Sequence, residues 1–422
     1  MKGIRAMLTL VLWLTLAGGA SASRLLIPMD ATQKDHLKSY GVAFWVLGQE
    51  VEVDWLLNYR GGSFAFQHAQ QLEMELIARG ISYEVLTDAR YQDILQQIAH
   101  PDANMEVMKL EKVPRIAVYS PNTAQPWDDA VTLVLTYAEI PYDQVFDEEV
   151  LEGQLPGYDW LHLHHEDFTG QYGKAMGRWR NEEWFQAMQE ESEGIARKYN
   201  FSKVPQMKLA VARKIKEFVA GGGFMFAMCS ATDSYDIALA ANGVDIVGEL
   251  FDGDESDPQA QQKLDYSQTF AFRDFEVYLE PYNREFSSID NQRHERGIYQ
   301  PQDYFQLFTF SAKWDPIPSM LTQNHETTIK GFMGQTTAFK NQHIKPDVNV
   351  MGETKEANEA RYMNGTFGKG TWTFYGGHDP EDYQHMPGAP PTDLSLYPNS
   401  PGYRLILNNV LFPAAKKKKT KT

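Results

Sequence analysis

The chain has 422 residues, 43% hydrophobic and 23% charged, enough for one large or two ordinary α/β domains around a buried core. A net charge of −17 excludes a nucleic-acid-binding body and leaves the lysines of 416–422 as a short, solvated basic tail. A single cysteine excludes an internal disulfide, so packing has to supply the stability.

Residues 1–22 read as a secretory signal peptide. Lys2 and Arg5 form the charged start, residues 6–16 the apolar core, and Ala20-Ser21-Ala22 an A-x-A cleavage site. The apolar run is too short to span a bilayer, and no later stretch is long and apolar enough for a membrane helix. The mature protein is therefore expected to be periplasmic or secreted, with no membrane span.

Strand and helix patterns then alternate. Residues 24–29 read as a strand, 35–48 as a helix, 51–57 as a strand, 67–79 as a helix, 81–86 as a strand and 91–98 as a helix. Alternation of this kind predicts βαβ units and a mostly parallel sheet in an N-terminal portion, 23–110. Between the second strand and second helix lies Tyr59-Arg60-Gly61-Gly62-Ser63. Arg60 can clamp an anion or carboxylate there, with Gly61, Gly62 and Ser63 beside it; a tight turn with an exposed arginine is the other reading.

The pattern restarts at 115–119 as a strand, followed by a helix over 127–139 and strands at 142–146 and 158–163. Met207, Val211, Ile215, Phe218 and Val219 recur at helical spacing and lead into Gly221-Gly222-Gly223. An apolar run, 224–228, then meets Cys229, and small residues continue as a helix to Asn242-Gly243. Strand, sharp turn and helix with Cys229 at the turn has the geometry of a nucleophile elbow, with Ala227 and Ala231 as the small flanking residues. The alternative is a buried, inert thiol.

From about 250 to 340 the chain is rich in aromatic residues, prolines and polar residues, which predicts a long insertion shaping a cleft or lid. Lys313-Trp314-Asp315-Pro316 and Gln323-Asn324-His325 are of the type that lines a sugar or peptide cleft, and the acidic run 252–257 lacks calcium-loop spacing. Strand character returns at 348–352 and 361–375, and 403–411 reads as a closing helix.

A thiol nucleophile needs a base and a group to orient it. His378 is the candidate base, Glu381 the orienting carboxylate and Asp379 its substitute, in Gly376-Gly377-His378-Asp379-Pro380-Glu381. Ser230 can offer an oxyanion N–H, and His164 and His165 read as cleft-lining. His162 and His164 share a strand face ahead of His165, Glu166 and Asp167, a pattern also found in metal sites, but no complete ligand set is visible locally, so no metal and no cofactor is expected.

The Cys229 elbow, the Gly368-Lys369-Gly370 hairpin and the segment 376–381 together resemble the class I glutamine amidotransferase-like superfamily. That resemblance implies a flavodoxin-like parallel sheet over 111–415, apart from the insertion, and a Cys229–His378–Glu381 triad. It also implies a glycine pair in the loop after the strand 158–163, where this chain has His164-His165-Glu166-Asp167. The segments 56–64, 371–383 and 398–415 are similar to those of exported bacterial proteins labelled asparagine synthetase B. That label implies an N-terminal cysteine and a Ser-Gly-Gly-x-Asp-Ser pyrophosphate loop, and this chain has neither. The function expected is a cysteine-dependent hydrolase or amidase acting on a small-molecule, peptide or saccharide ligand. The alternative is a non-catalytic periplasmic protein that binds a saccharide or peptide on the same fold.

Overall fold

The structure is a computed structural model that describes residues 23–123, 127–291, 293–384 and 386–415. The signal-peptide and basic-tail readings, 1–22 and 416–422, lie outside the described residues.

β1 (Ser23–Ile27), β2 (Val53–Leu57), β3 (Ser63–Gln67), β4 (Glu84–Thr87) and β5 (Glu106–Leu110) form a five-stranded sheet in the order β4-β1-β3-β2-β5. All of its pairings are antiparallel. The expectation of βαβ units here is corrected, and the cause is local. Asn58, Arg60, Gly61 and Gly62 all take positive φ (60°, 46°, 76° and 91°), which reverses the chain into a hairpin and pairs β2 with β3. Ser63–Gln67, read as loop and helix start, is a strand; the helix that follows is Gln70–Ala78.

The second sheet is built from β6 (Ile116–Tyr119), β7 (Asp143–Val145), β8 (Trp160–Leu163), β9 (Phe224–Met228), β10 (Tyr304–Leu307), β11 (Thr328–Lys330), β12 (Phe339–Lys340), β13 (Asn349–Thr354), β14 (Glu359–Phe367) and β15 (Gly370–Tyr375). Its order is β11-β10-β13-β14-β15-β9-β8-β6-β7, with β12 paired to β14. The run β7-β6-β8-β9-β15 is parallel, and β15-β14-β13-β10-β11 is antiparallel. This mixed sheet overturns the flavodoxin-like parallel sheet expected for the chain. Parallel neighbours need a long crossover, whereas Gly368-Lys369 joins β14 to β15 in a two-residue turn that enforces antiparallel pairing.

Side-chain alternation along the central strands sorts residues onto two faces. Trp160, Phe226 and Met228 point to one cluster, shared with Trp55 and Phe64 of the first sheet. Three helices fill the space between the sheets: α1 (His36–Gly48), α2 (Ala130–Tyr137) and a C-terminal helix, Pro401–Leu411, contributing Tyr40, Val131 and Leu405. Leu161, Met225 and Ala227 point the other way, to α3 (Val204–Gly221) and α4 (Ala231–Ala240) through Val211, Ile215 and Tyr235. Each such side chain contributes about 1.5–3 kcal/mol on burial. The two portions therefore share one apolar core across their junction at 111–115.

The segment 250–340 is not a separate lid: it supplies β10 and β11 at one edge of the large sheet. It is anchored by a buried ion network in which Arg296 meets Asp303 and Glu359 at 2.8 Å each, and Arg361 meets Asp303 at 3.3 Å. Arg361 also donates to the Phe332 carbonyl at 2.5 Å, which fixes the loop that follows. No helix among the described residues is long and apolar enough to cross a membrane.

Candidate functional site

Adjacent parallel strands bring the two principal residues together. Tyr375 and Met228 are register partners on β15 and β9, and each chain continues past the strand end into the site. The Cys229 N–H donates to the Gly377 carbonyl at 3.1 Å. Gly334 lies over both: a methyl group built on it would stand 3.0 Å from the Cys229 Sγ and 3.0 Å from the His378 amide nitrogen.

Cys229 sits at φ 52°, between β9 and α4. A non-glycine residue in this left-handed conformation costs on the order of 1–3 kcal/mol, which the flanking strand and helix have to supply. The Gln335 N–H donates to Sγ at 3.2 Å, and the amides of Thr336 and Ser230 also face it. Those N–H groups favour thiolate, but burial dominates and pushes the thiol up to about 11. The resting sulfur is therefore a protonated thiol. Residues 334–336 belong to the aromatic-rich segment, and nothing in the sequence marks their amides as sulfur ligands.

Three histidines converge on one another, two of them, His165 and His378, lining the same cavity as Cys229. β8 ends at Leu163, so the pleat no longer forces His164 and His165 to opposite sides. The His378 ring lies 4.3 Å from that of His164 and 5.6 Å from that of His165, centroid to centroid. One nitrogen from each of His164, His165 and His378 falls within 4.8 Å of the others. His164 and His378 are buried, and His165 is partly exposed.

Behind them stands Asp129. One of its oxygens caps α2, accepting from the Val131 and Thr132 amides at 2.7 and 3.0 Å. The other faces the His162 Nε2 and the His164 Nδ1, both at 3.2 Å. Burial alone would raise this carboxyl, but His164 and His162 hold it well below the ordinary carboxylate range. Sequence reasoning missed Asp129. The helix read over 127–139 put it in a first turn, an ordinary place for an acidic residue.

Glu381 has other partners: it accepts from Ser400 and lies 3.9 Å from Lys330. Asp379 is a buried turn residue accepting from the amides of Glu381 and Asp382 and from the Thr392 hydroxyl. Asp167 likewise caps its own loop through Thr169 and Gln171. Ser230 donates its hydroxyl to the His165 carbonyl at 2.9 Å.

Arg60 is paired with Asp30 and Glu84 at 2.7 and 2.6 Å, and the Ser63 hydroxyl donates to the Tyr59 carbonyl. Methyl groups on Gly61 and Gly62 would strike the Met29 carbonyl oxygen and Gln323 at 2.3 and 2.5 Å, so this loop is a packed hairpin turn. Gln323 bonds Asn58, His325 stacks on His36, and Lys313 donates to the His100 carbonyl. All three belong to the junction with the first sheet.

Cys229, His165 and His378 open onto a cavity of about 590 Å³. Its aromatic wall comes mainly from Trp127, Tyr172, Trp179 and Trp184, with Tyr282 as the contribution of the 250–340 segment. Lys174 and Glu285 also line it; burial lowers the Lys174 ammonium to about 8 and raises the Glu285 carboxyl. Beneath the thiol, Asp233 accepts from the Thr336 hydroxyl at 2.8 Å, and burial raises its carboxyl to about 8. This array can hold a polar ligand against aromatic faces while presenting a thiol and imidazoles to it.

No family model matches the chain, and no curated protein matches it. Among solved structures, the cytoplasmic protein STM3548 from Salmonella typhimurium is similar at 10% identity and TM-score 0.34, over 72% of this chain and all of that one. The cytoplasmic protein STM1381 from Salmonella typhimurium LT2 is similar at 11% identity and TM-score 0.33, over 71% of this chain and 99% of that one. A GH42 β-galactosidase, Gan42B, aligns at 13% identity and TM-score 0.27, over 64% of this chain and 28% of its own length. Likeness at this level carries no argument about function.

Proposed function

We propose that the cavity is the active site of an exported, cysteine-dependent hydrolase that cleaves an amide or related acyl bond. The observation that carries this reading is Cys229, a non-glycine residue at φ 52° on a strand-to-helix turn, whose sulfur borders the cavity beside His378. The Cys229 Sγ attacks the acyl carbon as its proton passes to His378. His378 returns that proton to the leaving nitrogen or oxygen as the acyl bond breaks, leaving a thioester. Water, deprotonated by His378, then attacks the thioester and restores the thiol.

A thiol held at about 11 makes the base essential, because little thiolate exists at rest. His164, braced by Asp129, packs on His378 and acts as a positioning residue in place of Glu381. The amides of Gln335, Thr336 and Ser230 can share charge that develops near the sulfur.

The test is trapping with p-nitrophenyl acetate followed by mass spectrometry. A thioester at Cys229 of the native chain is expected, slowed by roughly 10²–10⁴ in His378→Ala. A native chain left unacylated by this ester and unalkylated by iodoacetamide, while the denatured chain reacts, would overturn the reading. The aromatic wall then favours the second reading, in which the cavity binds a saccharide or peptide without chemistry.

A further inference from the structure

We propose that His164, His165 and His378 form a binding site for one divalent transition-metal ion of the zinc type, with its open positions facing the cavity. The inference goes beyond the thiol reaction and shares the cavity, His164 and His378 with it. A metal would take the imidazole that the reaction needs as its base, so the metal-loaded and thiol-reactive forms are alternative states of one site.

Geometry is the first argument. A tetrahedral zinc ion with bonds of about 2.0–2.1 Å places its nitrogen ligands about 3.3 Å apart. The three imidazoles offer one nitrogen each within 4.8 Å of one another, so small side-chain rotations close the set. His164 and His165 leave the end of β8, and His378 leaves the end of the β15 side of the sheet. Three imidazoles on two strand anchors with one common focus make a rigid platform.

The support behind the platform is the second argument. Histidine ligands commonly donate their other ring nitrogen to a carboxylate, which fixes the tautomer and raises basicity. The His164 Nδ1 faces the Asp129 Oδ2 at 3.2 Å, which leaves Nε2 as its ligating atom. Asp129 is itself immobilised by the two α2 amides and by His162.

The donor set is the third argument. Three nitrogens and no thiolate, with the remaining positions open to a cavity of about 590 Å³, match the pattern of a zinc site that binds an exchangeable ligand. All-nitrogen sets of this kind suit zinc, nickel, copper and cobalt, and not calcium or magnesium.

The test uses the full chain without an affinity tag, stripped by a chelator. It is titrated with Co²⁺ while visible absorption is followed, and with Zn²⁺ by calorimetry. One ion per chain is expected, with loss of measurable binding in His165→Ala and His378→Ala. Asp129→Asn should weaken binding about 10- to 100-fold. His165 is partly exposed, so its variant keeps the test decisive even where His164→Ala fails to fold. Absence of binding to the folded chain, or undiminished binding in both His165→Ala and His378→Ala, overturns the proposal. Iodoacetamide labelling of the metal-free chain reads the thiol separately. Binding with an unreactive thiol supports the metal site alone, and a reactive thiol without binding overturns the metal site alone.

Discussion

Among the described residues two histidine clusters stand apart, and they are built for opposite ends. At the junction of the sheets, His36 stacks on His325 at 4.1 Å and Arg404 meets the His325 Nδ1 at 3.3 Å. The His36 Nε2 is spent on the Met29 and Asp30 carbonyls. Arg404 is fully buried and also donates to the Met29 carbonyl at 2.9 Å. That cluster knits the N-terminal hairpin to the C-terminal helix. The trio at 164, 165 and 378 instead reaches a cavity of about 590 Å³ through His165 and His378. Both places mix buried with half-buried histidines; one set is spent on carbonyls and an arginine, and the other reaches a cavity through His165 and His378.

The sharpest way to break the comparison is Arg404→Ala. It takes the Arg404 donor from the Gly61 carbonyl and one of two donors from the Met29 carbonyl, and should cost about 1–3 kcal/mol, read as a lower urea midpoint. The thiol's labelling rate in the remaining folded protein should not change.

Acid tests the junction next. Burial lowers His36 to about 3 and His325 to about 4, so both are neutral when folded while the unfolded chain takes up protons below about 6.5. Their contribution is therefore complete above that value and is lost as the pH falls toward 4 and 3. Unfolding midpoints at pH 7 and pH 4.5 should separate, and His325→Gln should narrow the gap.

The opposite slope belongs to the thiol side. Asp233 is held up to about 8 by burial, so the folded state keeps a proton that the unfolded state has lost. Its contribution to stability is present below the ordinary carboxylate range and declines as the pH rises toward 8. The slope reaches at most about 1.4 kcal/mol per pH unit. Asp233→Asn should flatten it in urea titrations between pH 5 and pH 8, with the fold preserved.

The smallest effect is expected for Glu381→Gln. With Ser400 and Lys330 as its partners, it should change the rate of Cys229 labelling by less than about twofold. A large loss there would restore Glu381 as the orienting carboxylate and demote Asp129.

Much of the secondary structure was legible because period and punctuation agreed. The run 224–228 and the helix carrying Met207 to Val219 stand where their patterns place them. The N-terminal sheet was not legible as antiparallel, because Arg60-Gly61-Gly62 suits an anion-clamping loop as well as a hairpin. Only the positive φ at Asn58 and Arg60 tells them apart. In the site, Cys229 and His378 could be paired because each follows an apolar strand. Asp129 and the amides of 335–336 were hidden: the first fell in the first turn of the helix read over 127–139, and backbone groups carry no side-chain signature.

The Cys229 amide and the Gly377 carbonyl extend the β9–β15 ladder one rung beyond its last paired residues. Sulfur and imidazole are therefore spaced by main-chain rungs, and side-chain trimming around them has little leverage over their separation. Hydrogen exchange should reveal this as one cooperative unit, with the Cys229 amide opening only when the central strands do. A protein wired in this way loses its site all at once, on the same melting curve as its scaffold.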